Sequence, residues 1–253
     1  MSRTVEPNNA KIYSNFVSLG YFCSIALELE EMGLRNCSYP FDWCISDYTG
    51  VEQAIFTRFE GFMEYENLYQ YKEKKSLYRD TKYGITFVHD FDRYTSLEKQ
   101  LPKVKEKYRR RIEKFYKNLE MPTICIRYIS DERGKEELEN IEKNYQSLLE
   151  FLQRFNKNNK LIFIANEGIQ SDKIRIYNVK VDKGDKVSRN PIHQCKELYD
   201  TLNSMKFQKR EENIKFYKIK QKRKNNIVNK GKINFNKILL KLTKKEYEHI
   251  RQI

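Results

Sequence analysis

The sequence predicts an α/β fold, a layered sheet with at least one βαβ crossover, flanked by helices. Three stretches carry that expectation. PTICIRYIS (122–130) and NKLIFIANE (159–167) are short apolar runs that do not alternate with polar residues. Such runs fit strands buried on both faces, as parallel strands are. Between them, GKEELENIEKNYQSLLEFLQRF places Leu138, Ile141, Tyr145, Leu148, Leu149 and Leu152 at helical spacing. A strand, a helix of roughly 20 residues and a second strand make the crossover. KIRIYNVKV (173–181) predicts one strand more.

The other elements follow in order. NFVSLG (15–20) reads as a buried strand ending at Gly20. CSIALELEEMGL carries Ile25, Ala26, Leu29, Met32 and Leu34 near helical spacing, with Gly33 as its stop. SYPFDWCIS (38–46) reads as an aromatic loop, because Pro40 drives Tyr39 towards extended geometry. GVEQAIFTRFEGFM (50–63) reads as a second helix. KYG is a turn, and ITFVHDF after it is a strand whose end carries His89. SLEKQLPKVKEKYRRRIEKFYKNLE is a long basic helix with Pro102 in its first turns, where proline is tolerated. IHQCKELYDTLNSMKF reads as a closing helix. Residues 12–205 are thus expected to form one domain, and residues 206–253 an extension of short helices or hairpins.

Charge separates the two parts. The 253 residues carry a net charge of +14, of which residues 206–253 hold 16 Lys/Arg against 4 Asp/Glu. The body, with 33 against 31, is nearly neutral. A basic extension points to an anionic partner such as nucleic acid, a lipid headgroup or an acidic polysaccharide. Its apolar residues, among them Phe216, Ile219, Phe235, Ile238 and Leu239, argue against a plain solvated tail. No run approaches the roughly 18 apolar residues of a membrane span. Met1 leads into polar residues with no apolar signal core. The five cysteines are odd in number and contain no Cys-x-x-Cys pair. Together these features predict a cytoplasmic protein with free thiols.

The candidate chemistry is that of a thiol. Cys23 follows an apolar strand and a glycine, at the first turn of a helix, where backbone N–H dipoles favour a thiolate. His89 stands at a strand end, a rigid place from which to offer an imidazole base. Asp42 and Trp43, in the PFDW loop, are candidates to orient the imidazole and wall the cleft. Asp90 and Arg127 are candidates to bind substrate. Cys125 alternates inside a strand and reads as core. The remaining cysteines and histidines lack the clustering that a structural zinc needs, so no metal is expected. No phosphate-binding glycine loop and no G-x-S-x-G elbow occurs, and no cofactor is expected.

The run SLG-x-x-C, LR, S-x-PFDW-x-x-S, HDF, KYRRRIEKF and ICIRY resembles the DUF1796 family of bacterial and large-virus proteins, described as papain-like cysteine peptidases. The resemblance spans about residues 14–170 and includes Ser18, Leu19, Gly20, Cys23, Leu34, Arg35, Pro40, Phe41, Asp42, Trp43 and Ser46. It implies a thiol nucleophile at Cys23, a histidine base at His89 and, as the alternative fold, a papain-like α+β core. In papain-like enzymes an Asn or Asp follows the histidine, which leaves Asp90, Asp131 and Asn166 beside Asp42 for the third role. Attack on an amide, ester or isopeptide carbonyl of a peptide or other amide substrate is the first functional expectation. A transferase acting on a glycan or nucleotide sugar is the second, and a non-catalytic module with an anion-binding tail the third.

Overall fold

In the computed structural model, which describes residues 12–72, 74–130, 134–181, 185, 187–207 and 210–230, the apolar stretches pair in parallel. Strands β1 (Asn15–Ser18), β6 (Thr123–Ile129), β7 (Lys160–Asn166) and β8 (Ile176–Val179) form one four-stranded sheet in the order β1-β6-β7-β8. Every pairing is parallel, with Ser18 opposite Ile126 and Ile129 opposite Ala165. The crossover from β6 to β7 is α4 (Gly134–Gln153). The α/β reading therefore holds.

A second, smaller sheet is antiparallel. It contains β2 (Cys44–Ser46), β5 (Ile85–Phe87), β4 (Tyr78–Asp80) and β3 (Leu68–Gln70), in that order. Two of its strands fall where the sequence reads otherwise. β2 lies inside the aromatic loop, and β3 follows a one-turn 3-10 helix at Tyr65–Asn67. Three-residue strands carry too little periodicity to be read locally. β5 ends at Phe87, so His89 lies just beyond the strand.

Helices cover both faces of the parallel sheet. Alternate residues Val17, Cys125, Ile129, Phe163 and Ala165 face a core shared with the antiparallel sheet, α2 (Tyr48–Phe56) and α3 (Leu97–Leu119). α1 (Ser24–Glu31) packs on β1 and β6 and against α5 (Pro191–Gln194). The second helix stops at Phe56, short of the predicted 63, because Arg58, Phe59 and Met63 all turn left-handed. The closing helix breaks at Cys195, whose ψ of 89° is not helical, leaving α5 and α6 (Lys196–Ser204). Asn159 is fully buried and joins the crossover ends. Its amide donates to Leu119 O and Leu152 O, each at 2.8 Å, and accepts from Thr123 N at 2.9 Å.

The chain divides into two compact units, Met1–Asn213 and Ile214–Ile253. α7 (Arg210–Lys230) is one helix rather than several short elements. Its residues Ile214, Phe216 and Ile219 spread around the helix without a single apolar stripe. Phe235, Ile238, Leu239 and His249 lie outside the described residues. Among the described residues no helix is long and apolar enough to cross a membrane.

Candidate active site

β1 delivers the chain to the carboxyl edge of the parallel sheet, where open α/β sheets bind their ligands. Two consecutive residues there are left-handed, Gly20 at φ +80° and Tyr21 at φ +73°. A left-handed tyrosine is strained, and such strain gathers at functional turns. The turn makes Cys23 the N-cap of α1. A strand, a strained turn and a helix headed by the nucleophile is the order used by nucleophile elbows.

Ser46 locks this turn to the PFDW loop. Its Oγ accepts from Tyr21 N at 3.2 Å and from Arg127 Nη1 at 3.0 Å, while Ser46 N donates to Tyr21 O at 3.1 Å. A Cβ on Gly20 would stand 2.4 Å from Ser46 Oγ, so the approach requires glycine as well as the positive φ does. Arg127 is wholly buried. Its guanidinium bonds Glu137, Leu19 O and both oxygens of Ser46, at 2.8–3.0 Å. The side chain read from sequence as a substrate ligand is thus engaged by the fold at each of its three nitrogens.

Asp42 is likewise buried. Its Oδ2 accepts from Arg35 at 2.6 Å and from Tyr39 N at 2.7 Å, closing the loop into a clamp, while Oδ1 has no hydrogen-bond partner. Burial raises the Asp42 pKa, against the pull of Arg35. Trp43 is half-buried, with the Arg35 guanidinium 5.0 Å from its ring centroid. Asp90 bonds Lys107 and, at 2.9 Å, the Tyr108 hydroxyl.

Cys23 is buried, and desolvation pushes its thiol up to about 11 despite its place at the helix start. His89 lies at the surface with part of its ring desolvated, which lowers its pKa below the usual imidazole value, with Asp90 pulling the other way. No hydrogen bond joins Cys23 to His89 among the described residues. Ile85 opposes Ser46, the residue that grips the thiol turn, and Cys44 opposes Phe87. His89 lies two residues past the end of β5, where the chain bends. Asn166, another candidate for the third role, is buried against the Tyr128 hydroxyl. Asp131 lies outside the described residues.

A carboxylate–histidine pair escaped the sequence reading. Glu28, buried in α1, accepts from the backbone N–H of Ile192 and His193 at 2.9 and 2.8 Å, and its Oε1 lies 2.7 Å from His193 Nδ1. Desolvation raises the Glu28 pKa. Ser24, one turn before Glu28 on the same face of α1, has a buried hydroxyl without a partner. The one signal in the sequence is an acidic residue at a position where α1 turns inward.

Five thiols are free, and no three His, Cys, Asp or Glu side chains gather as metal ligands among the described residues. A cavity of about 470 Å³ opens elsewhere, between β3, β4 and the start of α3, away from the thiol turn.

The description "Putative papain-like cysteine peptidase (DUF1796)" belongs to a family profile that matches residues 14–167. An uncharacterized protein of Acanthamoeba polyphaga mimivirus, R408, is 33% identical over 122 residues, 40% of this chain. The match spans about half of that relative, 54% of its length. No solved structure matches.

Proposed function

The chain belongs to the DUF1796 family of putative papain-like cysteine peptidases, and from that premise we propose a thiol hydrolase or transferase whose nucleophile is Cys23. The observation that carries the reading is the strained turn at Gly20 and Tyr21, which sets Cys23 at the head of α1 inside the matched segment. The Cys23 sulfur attacks an amide or ester carbonyl as an imidazole takes its proton. Free N–H groups in the first turn of α1 stabilise the oxyanion. The amine or alcohol leaves with the proton, and water or an acceptor then cleaves the thioester. A resting thiol near pKa 11 makes this general-base chemistry rather than attack by a preformed thiolate.

His89 is the base proposed from the matched segment, placed just beyond the end of β5. Asp42 orients it through Oδ1, the carboxylate oxygen left without a partner. Trp43 walls the cleft, Asp90 fixes the chain that carries His89, and Arg127 braces the turn. A second base is favoured by one observation. Glu28 already holds Nδ1 of His193, as an orienting carboxylate does, on a helix packed against α1. The basic residues beyond Lys206 support an anionic partner, and that binding should weaken steeply with salt.

Mass spectrometry of the full chain, incubated with aryl and peptide esters, tests the proposal. The expected result is an acyl adduct on Cys23, lost in Cys23→Ala. Removing the true base should slow acylation by about 10²–10⁴-fold, so His89→Ala and His193→Ala identify it. Acylation unaffected by either change, or no adduct on Cys23, overturns the reading.

A further inference from the structure

The cavity between β3, β4 and the start of α3 has a lining unlike that of the thiol turn. Three tyrosines, Tyr65, Tyr78 and Tyr94, share it with Gln70, Ser96 and Glu98. Tyr94 is 82% exposed and Tyr65 49%, so two aromatic faces of the cleft are open to a ligand. Tyr94 sits on a braced loop. Asp92 accepts from Tyr94 N at 2.7 Å and Thr95 N at 2.8 Å, and Gln100 spans the loop by accepting from Asp92 N at 2.7 Å and donating to Asp92 O at 3.1 Å. A ring held in place loses little freedom on binding.

The two charged groups of the lining are each hydrogen-bonded to a tyrosine. Glu98 accepts from the Tyr65 hydroxyl at 2.7 Å, and the Arg93 guanidinium bonds the Tyr94 hydroxyl with its carbon 4.7 Å from that ring's centroid. With one guanidinium, Arg93, and one carboxylate, Glu98, the lining has no net charge to draw a phosphate, and the hydroxyls and the Gln70 amide make the cleft too polar for a lipid tail. What remains is a set of aromatic faces beside hydroxyl and amide groups. That set complements a sugar ring, whose C–H face packs on an aromatic while its hydroxyls exchange hydrogen bonds. A peptide would add to the open edge of β3, but that strand offers only three residues.

We propose that this cleft is a binding site for neutral oligosaccharides, independent of Cys23. The full chain would be titrated with hexasaccharides of β-1,4-glucose, α-1,4-glucose and β-1,4-N-acetylglucosamine, followed by ligand-observed NMR and calorimetry. At least one should bind saturably, with an affinity unchanged by added sodium chloride. Tyr94→Ala and Tyr65→Ala should each weaken it about fivefold, the worth of one aromatic contact. Cys23→Ala should leave it unchanged, which separates this site from the thiol chemistry. Both tyrosines are exposed, so the variants should melt as the parent does. Absence of binding by all three sugars overturns the proposal, as does full affinity in both tyrosine variants. Tyr94-dependent binding of a casein peptide digest, with no sugar bound, would make the cleft a peptide site instead and equally overturn it.

Discussion

Replacing Gly20 by alanine tests how the thiol turn is held. The new Cβ would lie 2.4 Å from Ser46 Oγ and 3.3 Å from Phe41 O, at a φ of +80°. The left-handed backbone alone costs an L-residue about 1–2 kcal/mol. Forcing a methyl into a filled space adds about 1–3 kcal/mol, so Gly20→Ala should destabilise by about 2–5 kcal/mol. Ser46→Ala removes acceptors for Tyr21 N and Arg127 Nη1, at about 1–3 kcal/mol. In the double variant the Oγ clash is gone, and only the backbone cost is added to that of Ser46→Ala. The two changes should therefore be less than additive by about 1–3 kcal/mol. Urea unfolding of the four proteins, followed by tryptophan fluorescence and circular dichroism, gives the cycle. Strict additivity, or a Gly20→Ala cost below about 1 kcal/mol, would refute the proposed contact between the two motifs.

Alkylation of Cys23 by iodoacetamide, read by peptide mass spectrometry, should keep accelerating with pH towards about 11; a plateau below pH 8 would show a thiol activated in the resting state. Arg127→Met should cost about 3–5 kcal/mol by breaking its buried ion pair with Glu137, and Glu137→Leu added to it should restore part of the loss in thermal melts. His89 has a depressed pKa, so the unfolded chain binds more protons in the window just below the usual imidazole value, and stability should rise with pH there. His89→Gln should flatten that rise in urea titrations at stepped pH. A chain ending at Asn213 should melt close to the full protein, whereas one ending at Met205 should melt several degrees lower. The shorter chain loses Lys206 O for Tyr13, Phe207 against Phe16, and the bonds of Arg210 and Asn213 to Met32 O and Gly33 O.

The parallel sheet was legible because β6 and β7 are mostly apolar runs without alternation and its crossover helix shows its period over 20 residues. The antiparallel sheet was not, since three-residue strands such as Leu68–Gln70 gain their identity only from partners distant in sequence. Cys23 at a helix start was legible from SLG-x-x-C. Its ionisation was not, because burial in the folded chain raises the thiol pKa. Arg127 and Asp42 looked available in sequence, yet a polar residue does not reveal whether the fold or a ligand satisfies it. Arg127 shows this most clearly, since two of its acceptors lie 81 and 108 positions away. The Glu28–His193 pair spans 165 positions and could not be inferred from local pattern.

Arg127 also sets a schedule. The turn that shapes Cys23 is braced by a residue made about a hundred positions later, so ribosomal synthesis delivers the thiol well before its brace. At about 5–20 residues per second that interval is roughly 5–20 s, during which Cys23 is a solvent-accessible, ordinary thiol. Oxidants and alkylating agents have their easiest access in the nascent chain. Once β6 closes the sheet, the same sulfur is buried.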